Sequence, residues 1–343
     1  MRAEDRLLNL WRTRSVLACC LLPMAWLYRA VWSLRRRLYC AGWLHAERLP
    51  VPVLVVGNVI AGGAGKTPLV IELLAHLQRA GWRPAVVSRG HGRASPATLH
   101  VRADTHARDC GDEPWLIFQR TGVPVCVDRD RAVAARALIA AHPHVNLIIC
   151  DDGLQHLRLA RDAEICVFDA RGIGNGWLLP AGPLREPWPR HTPVPGWMVH
   201  SIDGDAEAGA ARWGWPLRRG LAPEAVRADG SRRALADLAR EPCVALAAIA
   251  HPERFFTMLR AAGVRPSQTF ALPDHHPLDS LDALIREAAV LVCTEKDAAK
   301  LWRIRPDAWA VPLQVSLQGP WLDDLMQALE SARLSSADGD QTA

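Results

Sequence analysis

A glycine-rich segment between an apolar strand and a helix constrains the fold more than any other feature of this sequence. Residues 52–57 form a short apolar run that ends in glycine, and residues 67–80 carry leucines at helical spacing up to Gly81. The segment at 60–67 between them reads IAGGAGKT. Glycines let backbone N–H groups curl around a phosphate, a lysine there reaches terminal phosphates, and a threonine hydroxyl binds Mg²⁺. The sequence therefore predicts a nucleotide-binding loop at the start of a helix.

One position departs from the usual phosphate-loop pattern, because isoleucine stands at residue 60 where the pattern has glycine. The alternative is a glycine-rich turn with an incidental lysine. Of the 41 basic residues, however, only Lys66, Lys296 and Lys300 are lysines, so a lysine here departs from the chain's own preference for arginine. A compact ammonium group suits a phosphate loop better than a planar guanidinium. The residues predicted to bind the cofactor are Ile60, Ala61, Gly62, Gly63, Ala64, Gly65, Lys66 and Thr67.

Further apolar runs alternate with helical patterns along the chain. In the first half, strands are predicted at 85–87, 123–127, 145–150 and 164–168, and a helix at 129–141. In the second half, strands are predicted at 243–249, 289–293 and 309–315, and helices at 252–262, 296–303 and 320–333. Buried strands that alternate with helices form parallel sheets covered on both faces. The predicted fold class is therefore α/β, with a P-loop NTPase-like parallel sheet covered by helices, a second smaller α/β lobe and an N-terminal apolar helix.

Acidic residues follow the fourth predicted strand, where a parallel sheet places its ligands. Asp151 and Asp152 end the apolar run 147–150 and precede Gly153. P-loop enzymes hold Mg²⁺ at this position, directly or through water. A helix cap or turn acid is the alternative.

Two further segments are too specific to be ordinary loops. Residues 111–114 read GDEP, where Asp112 is either a reactive carboxylate or the cap of the following helix. Residues 172–187 hold too many glycines and prolines for regular structure. This stretch is typical of an ordered loop over a site, with Arg185 and Glu186 available for phosphate and metal.

The positive charge of the chain is concentrated at its N-terminus. The net charge is +5, and residues 1–50 contribute nine arginines against three acids, so the remaining 293 residues sum to −1. A nucleic-acid-binding protein would place a basic stripe on the folded domain itself, so this class is disfavoured.

Residues 15–28 are uncharged, and tryptophans, tyrosines and arginines surround them. As a helix they would span about 21 Å, short of the ~30 Å hydrocarbon core of a bilayer. The pattern favours a helix lying in the headgroup layer of an anionic membrane. A signal peptide, a full membrane span and a helix packed on the protein's own core are the alternatives.

The nine cysteines are odd in number and no two form a CxxC pair. Several lie inside apolar strand-like runs. Buried free thiols in a reducing compartment are therefore expected, in preference to disulfides or a metal site.

Together these motifs resemble the tetraacyldisaccharide 4′-kinase family, the kinases of lipid A biosynthesis. The resemblance covers almost the whole chain, and DDGLQH at 151–156 with LLPAGPLREP at 178–187 is its most distinctive part. The other matching segments are VVGN at 55–58, GGAGKT at 62–67, VSRGHG at 87–92, GDEP at 111–114, GNGW at 174–177, DHH at 274–276 and TEKD at 294–297.

The resemblance implies ATP-dependent, Mg²⁺-assisted phosphorylation of the 4′-hydroxyl of a lipid A disaccharide 1-phosphate. It places the protein at the cytoplasmic face of the inner membrane, on an anionic surface, and implies no nucleic acid and no protein partner. The divisions that follow are an N-terminal membrane-associating helical segment at 1–48, a P-loop kinase domain at 49–190, a connector at 191–226, a smaller C-terminal α/β lobe at 227–334 and a frayed tail at 335–343.

Site roles are carried over from the family motifs position by position. Asp112 is implied as the base on the sugar hydroxyl, oriented by His275, while Lys66 stabilises the transferred phosphoryl group. The implied metal ligands are Thr67, Asp151, Asp152 and Glu186. The implied substrate-binding residues are Arg89, Asn175 and Arg185.

Two functions of other classes remain open from the residues alone. The GGAGKT loop is equally compatible with an ATPase or GTPase that switches a partner, such as a metallochaperone. The TEKD segment at 294–297 does not match the guanine-reading NKxD motif, and a metallochaperone's CxxC is missing from the sequence. A membrane-tethered binding module would leave Asp112, Asp151 and Asp152 without a role.

Overall fold

Short runs of aliphatic residues form the strands of two sheets, which helices cover. The computed structural model of the protein describes residues 10–63, 65–190, 192–203, 214–274, 276, 278 and 283–339. The larger sheet has nine strands in the order β15-β8-β7-β6-β1-β5-β2-β4-β3. Its strands are β1 Val53–Gly57, β2 Pro84–Ser88, β3 Leu99–Val101, β4 Val125–Val127, β5 Leu147–Asp151, β6 Ala163–Phe168, β7 Gly196–Asp203, β8 Trp215–Leu221 and β15 Leu313–Ser316.

Neighbours in the larger sheet are parallel except at its two edges, where β3 is antiparallel to β4 and β15 to β8. The smaller sheet has six strands in the order β10-β9-β14-β13-β11-β12. Its strands are β9 Glu224–Val226, β10 Arg232–Ala234, β11 Val244–Ala247, β12 Gln268–Ala271, β13 Leu291–Thr294 and β14 Trp309–Val311. The α/β fold class with a parallel sheet, predicted from the alternation of strands and helices, is confirmed.

Helices lie on both faces of the larger sheet and around the smaller one. They are α1 Val16–Cys20, α2 Leu22–Cys40, α3 Lys66–Arg79, α4 Ala107–Cys110, α5 Asp112–Thr121, α6 Arg131–Ala141, α7 Leu235–Leu238, α8 Pro252–Ala261, α9 Ala283–Glu287, α10 Glu295–Leu301 and α11 Trp321–Gly339. Leucines at helical spacing on α3 pack into one face of the larger sheet, and the alanines of α6 pack into the other. This sandwich leaves the carboxyl ends of β1, β5 and β2 together at one edge.

The expected connector at 191–226 needs correction. Residues 196–203 and 215–221 form β7 and β8 of the larger sheet, and 224–226 forms β9 of the smaller one. In β8 the inward-facing positions are Leu217 and Arg219, both buried. A buried arginine and a proline at residue 216 disguise the alternation that usually marks a strand.

The segment predicted as one strand at 309–315 is two strands in different sheets. Pro312 separates β14 from β15, because proline lacks the N–H that a continuous ladder requires. The chain thus returns to the larger sheet, where α11 packs Trp321 and Leu325 into the main core. This helix continues to Gly339, past the start of the predicted frayed tail, and residues 340–343 lie outside the described residues.

The N-terminal helices rest on the protein by one face only. Ala18 and Ala25 are buried, and Tyr28 Oη donates a hydrogen bond to the carbonyl of Arg185 at 2.6 Å. Leu21 and Leu22 also pack partly against the core. Seven large apolar side chains are exposed, namely Val16, Leu17, Met24, Trp26, Leu27, Val31 and Leu34. None of the helices in the described part of the chain is both long and apolar enough to cross a bilayer.

All nine cysteines are free thiols, and six of them are buried, as the sequence predicts. Burial raises the pKa of the Cys110 and Cys126 thiols to about 12, so both are unreactive at neutral pH.

Truncating Trp321 tests whether α11 belongs to the larger sheet's core. Its side chain is 1% exposed. We expect Trp321→Ala to lower the free energy of unfolding by about 3–5 kcal/mol, because a large buried ring is replaced by a cavity. The control is Trp43→Ala, whose ring is 81% exposed; it should change stability by no more than about 0.5 kcal/mol. Urea unfolding followed by circular dichroism measures both, and equal values would contradict the packing.

Candidate active site

The phosphate loop joins the end of β1 to the first residue of α3. Gly62 and Gly65 have φ angles of +91° and +77°, in the left-handed region that favours glycine. A Cβ at Gly65 would lie only 2.6 Å from Nη1 of Arg219. Both glycines are therefore favoured by the backbone shape of the loop, whereas the Arg219 side chain could move away from a Cβ at residue 65. Ala64 lies outside the described residues.

Asn58 and Arg171 bind the carbonyl groups of this loop. Asn58 Nδ2 donates to the carbonyls of Ile60 at 2.9 Å and Gly62 at 3.2 Å. The Arg171 guanidinium donates to Gly63 at 2.7 Å and pairs with the buried Asp169. The sequence reasoning gave neither Asn58 nor Arg171 a role. For Asn58 the available signal was an asparagine directly after a predicted apolar strand.

Two residues predicted to bind the cofactor instead anchor the loop. The Ile60 side chain is buried in the core, and its backbone pairs with Leu184. The Ala61 N–H donates to the carbonyl of Pro183 at 2.8 Å, so it is not available to a phosphate. Isoleucine replaces the usual glycine at residue 60 because this end of the loop packs against residues 183–184.

Lys66 lies at the base of the loop, where two acceptors hold its ammonium group. Nζ is 3.2 Å from Asn58 Oδ1 and 3.4 Å from Asp152 Oδ1. Asp152 also accepts from Arg185 Nη1 at 3.0 and 3.1 Å. Burial alone would raise the pKa of Asp152, but Lys66 and Arg185 outweigh it and hold that pKa below its ordinary value. Asp152 adopts a φ of +49°, which is uncommon outside glycine and typical of functional sites.

Asp151, at the end of β5, carries an unsatisfied oxygen. It is 1% exposed, and Oδ1 has no hydrogen-bond partner among the described residues, while Oδ2 accepts from Ser88 Oγ at 3.4 Å. Burial and the charge of Glu113 raise its pKa to about 7. An orphaned carboxylate oxygen near a phosphate loop fits a divalent cation, which prefers oxygen ligands.

Glu186 does not present an open ligand position. Oε1 accepts from Gln155 Nε2 at 2.8 Å and Oε2 from Arg190 Nε at 3.1 Å. Arg190 also pairs with Glu164, so the carboxylate belongs to a buried ion-pair network. Within the described ranges no three histidine, cysteine or acidic side chains form a group that could hold a metal ion. In this structure Glu186 therefore belongs to an ion-pair network, and its role as a metal ligand stays a prediction.

Asp112 begins helix α5 directly after Gly111, whose φ is +99°. The helix cap is Gly111, so the alternative of Asp112 as the cap is wrong. Asp112 is 5% exposed, and its Oδ2 accepts from Lys300 Nζ at 2.7 Å. The neighbouring Glu113 lines the cleft described below. His275, its inferred partner, lies outside the described residues.

The three residues inferred to bind substrate fall in different places. Arg89 is exposed and, with Arg185, lines the cleft. Asn175 is buried inside the loop at 172–187, where Nδ2 donates to the Ala181 carbonyl at 2.9 Å and Oδ1 accepts from the Trp177 N–H at 3.0 Å. Its amide therefore shapes the loop and is not directed to substrate.

A cleft of about 960 Å³ joins these parts. Its walls come from the phosphate loop, from the smaller sheet's helices α8 and α10, and from Tyr28 and Arg35 of helix α2. Among the described residues that line it, nine side chains are cationic and four are anionic. The cations are Arg35, Lys66, Arg89, Arg129, Arg131, Arg185, Arg219, Arg254 and Lys296, and the anions are Glu113, Asp152, Asp274 and Glu295. Such a surface suits a ligand with several phosphates, although residues 51–343 together are slightly acidic.

Comparisons with known proteins find similar chains over almost the whole length. The family model for tetraacyldisaccharide-1-P 4′-kinase matches residues 17–330. The tetraacyldisaccharide 4′-kinase of Acidovorax sp. (strain JS42) is 51% identical over 332 residues, covering 97% of this chain and 95% of that protein. The one from Polaromonas naphthalenivorans is 50% identical and covers 98% of both chains. A crystal structure of LpxK from Aquifex aeolicus in complex with ATP superposes with a TM-score of 0.79 at 26% identity, covering 92% of this chain and 99% of that one.

The raised pKa of Asp151 gives the ligand-free protein a distinctive pH dependence. The folded protein keeps this proton up to about pH 7, whereas the unfolded chain loses it near 3.8, so stability falls as pH rises between these values. Asp151→Asn cannot ionise, and we expect its stability advantage over the parent to grow by about 2 kcal/mol from pH 5 to pH 8. Urea unfolding in the presence of a chelator measures this change.

Asp307→Asn is the control for this experiment, because Asp307 lies away from Asp151 and pairs with Arg305. Arg305 lowers the pKa of Asp307, so this carboxyl is ionised in both states across this range, and the effect of the variant should not change from pH 5 to pH 8. Parallel pH profiles for the Asp151→Asn variant and the parent would contradict the prediction.

Proposed function

This chain belongs to the tetraacyldisaccharide-1-P 4′-kinase family, and from that premise we propose that it transfers the γ-phosphate of ATP to the 4′-hydroxyl of a lipid A disaccharide 1-phosphate. As a family member it is a kinase that phosphorylates a hydroxyl group, which replaces the alternatives of a partner-regulating switch and a tethered binding module. The observation that carries the proposal is a cationic cleft, which joins a phosphate loop to an N-terminal helix with an exposed apolar face. The related structure from Aquifex aeolicus, in complex with ATP, supports ATP as the donor.

We assign Asp112 as the base and Lys66 as the cation on the transferred group. A sugar hydroxyl is a poor nucleophile, so a carboxylate must accept its proton as the new bond to phosphorus forms. Lys66, placed at the loop by Asn58 and Asp152, offsets the negative charge on the phosphoryl oxygens. His275, next to Asp274 in the sequence, is proposed on the family resemblance to orient Asp112.

The residues proposed to hold Mg²⁺ are Thr67, Asp151 and Asp152. Thr67 and Asp152 line the cleft, and the unpartnered Oδ1 of Asp151 is the group that most needs a cation. A Mg²⁺ ion held by these residues would supply positive charge that offsets the negative charge of the phosphate groups. Glu186 is left out of this set because Gln155 and Arg190 already bind its carboxylate.

Arg89 and Arg185 are proposed to bind the phosphorylated acceptor. Both line the cleft, and the Arg185 carbonyl accepts the hydrogen bond from Tyr28 of helix α2. This hydrogen bond therefore links the residue proposed to bind the acceptor's phosphorylated sugar with the helix proposed to meet its acyl chains. This arrangement supports an amphiphilic substrate that enters from a membrane surface.

Substituting Asp112 tests the assigned base. We expect Asp112→Asn to lower kcat by about 10²–10⁴-fold, because no other carboxylate would take the hydroxyl proton, while ATP binding is retained. The matched comparison is Glu113→Gln, which removes a charge from the adjacent, cleft-lining residue and should lower kcat by less than about tenfold. Transfer of labelled phosphate to the disaccharide 1-phosphate gives kcat, and calorimetry gives ATP affinity. The reverse ranking of the two variants would move the role of base to Glu113.

We further propose that helices α1 and α2 bind an anionic membrane by their exposed face. Deleting the segment would also remove Tyr28 and the buried Ala25, so point variants give a cleaner test. Leu27→Asp combined with Val31→Asp should weaken binding to vesicles containing anionic lipid at least tenfold. Both side chains would be buried in the membrane, and each would contribute about 1.5–3 kcal/mol to the binding free energy. Leu334→Asp, at an equally exposed leucine on α11, should leave vesicle binding unchanged. Vesicle co-sedimentation measures both, and equal losses would refute a specific membrane face.

A further inference from the structure

All three lysines of the chain bind carboxylates that line the cleft or lie next to a residue that lines it. Lys66 Nζ lies 3.4 Å from Asp152, Lys296 Nζ lies 3.0 Å from Asp274, and Lys300 Nζ lies 2.7 Å from Asp112. Every other basic position in the sequence is arginine. An ammonium group is a point charge that contacts one oxygen at a time, whereas a guanidinium tends to bind both oxygens of a carboxylate. We therefore attribute the choice of lysine at these three positions to the carboxylates that they bind.

The contact between Lys300 and Asp112 joins helix α5 of the larger sheet to helix α10 of the smaller sheet. Asp112 begins α5 on the larger sheet, and Lys300 lies in the last turn of α10 beside the smaller sheet. A second ion pair joins the same helices, since Arg120 Nη1 lies 2.7 Å from both carboxylate oxygens of Glu295. The Arg120 pair holds the helices together, and only the Lys300 pair touches the proposed base.

We propose that Lys300 is a positioning residue for phosphoryl transfer, whose ammonium group binds Oδ2 of Asp112 and keeps that buried carboxylate ionised and fixed at the cleft. The inference rests on the proposed role of Asp112 as the base. A carboxylate can accept the hydroxyl proton only when it is itself deprotonated. A buried carboxyl without a cation resists ionisation, because transfer from water costs several kcal/mol.

Asp151 shows what burial does in this same site. Burial and Glu113 raise its pKa to about 7, even though Lys66 and Arg131 oppose the shift. Asp112 is also buried and stands next to the same Glu113. Asp112, in addition, has a lysine ammonium group in direct contact with its carboxylate.

Among the described residues, the charged and titratable groups near Asp112 come from three segments. Lys300 and Lys296 lie on α10, Cys110 and Glu113 flank Asp112 in its own segment, and Asp274 pairs with Lys296. The negative charge of Glu113 and the positive charges of the two lysines act on Asp112 in opposite directions. Of these groups, Lys300 is the one whose ammonium lies within hydrogen-bond distance of the carboxylate.

Direct titration of Asp112 tests this inference independently of activity. The protein is labelled with aspartate carrying ¹³C in the carboxyl group, and the Asp112 signal is assigned by its loss in Asp112→Asn. In Lys300→Met, a neutral side chain of similar length, we expect the titration of Asp112 to move up by about 1–2 pH units. Lys300→Arg should keep the titration of the parent, because the charge is retained. An unmoved titration in Lys300→Met overturns the proposal.

The kinetic test uses saturating ATP and Mg²⁺ and varies the acceptor. In Lys300→Met we expect the acid limb of kcat/KM to shift up by about the same 1–2 pH units, which is a ten- to hundredfold loss at the acid end. The matched control is Arg120→Met, which removes the other ion pair between α5 and α10 and should leave the limb where it is. If both variants lose activity equally at every pH, Lys300 only holds the helices together and the proposal fails.

The two experiments separate failure of this inference from failure of the proposed function. If the titration of Asp112 moves in Lys300→Met but Asp112→Asn remains fully active, the electrostatic role stands and Asp112 is not the base. If Asp112→Asn is inactive and the titration does not move, the base stands and the role of Lys300 is wrong. Should Lys300→Met fail to fold, Lys300→Gln in the same titration serves instead, with the same expected shift.

Discussion

The hydrogen bonds that hold the carbonyl groups of the phosphate loop determine most of what surrounds them. Asn58 binds two of these carbonyls and, through its own oxygen, the ammonium group of Lys66. One buried side chain therefore binds both the backbone of the loop and the cation proposed to act in catalysis. Because buried polar groups are costly unless they are bonded, these hydrogen bonds stabilise the described conformation of residues 58–63.

The charges of the site follow from that constraint. Lys66, Arg185 and the ion pair at Lys300 compensate Asp152 and Asp112, whereas Asp151 retains an oxygen without a partner. An uncompensated buried carboxylate lowers the stability of the ligand-free protein, and a bound cation would offset that cost. The carboxylate of Asp151, which lowers stability most when no ligand is bound, is thus also the group that a cation would stabilise most. Such a compromise between stability and function is common.

Apolar spacing and turn residues in the sequence predicted those strands, loops and helices that are determined by neighbouring residues. The strand, loop and helix around residues 52–80 were readable because apolar spacing, glycines and a lysine agree along one short stretch. Strand β8 was missed since Arg219 points inward, and the break at Pro312 was missed since β14 and β15 are contiguous in sequence. Ile60 showed a departure from the loop pattern, but only the contact with Leu184 explains it. The pairing of Asp112 with Lys300 spans 188 residues, so no local pattern could reveal it, although the scarcity of lysine marked both Lys296 and Lys300.

The topology explains how Asp112 and Lys300, which lie 188 residues apart in the sequence, come into contact. The chain leaves the larger sheet after β8, builds the smaller sheet, and returns through β14 into β15. Because β15 pairs with β8 and β14 pairs with β9, both crossings lie side by side as antiparallel strands. Contacts away from these strands also join the two walls of the cleft. The ion pairs between α5 and α10 are such contacts, and one of them ends on Asp112.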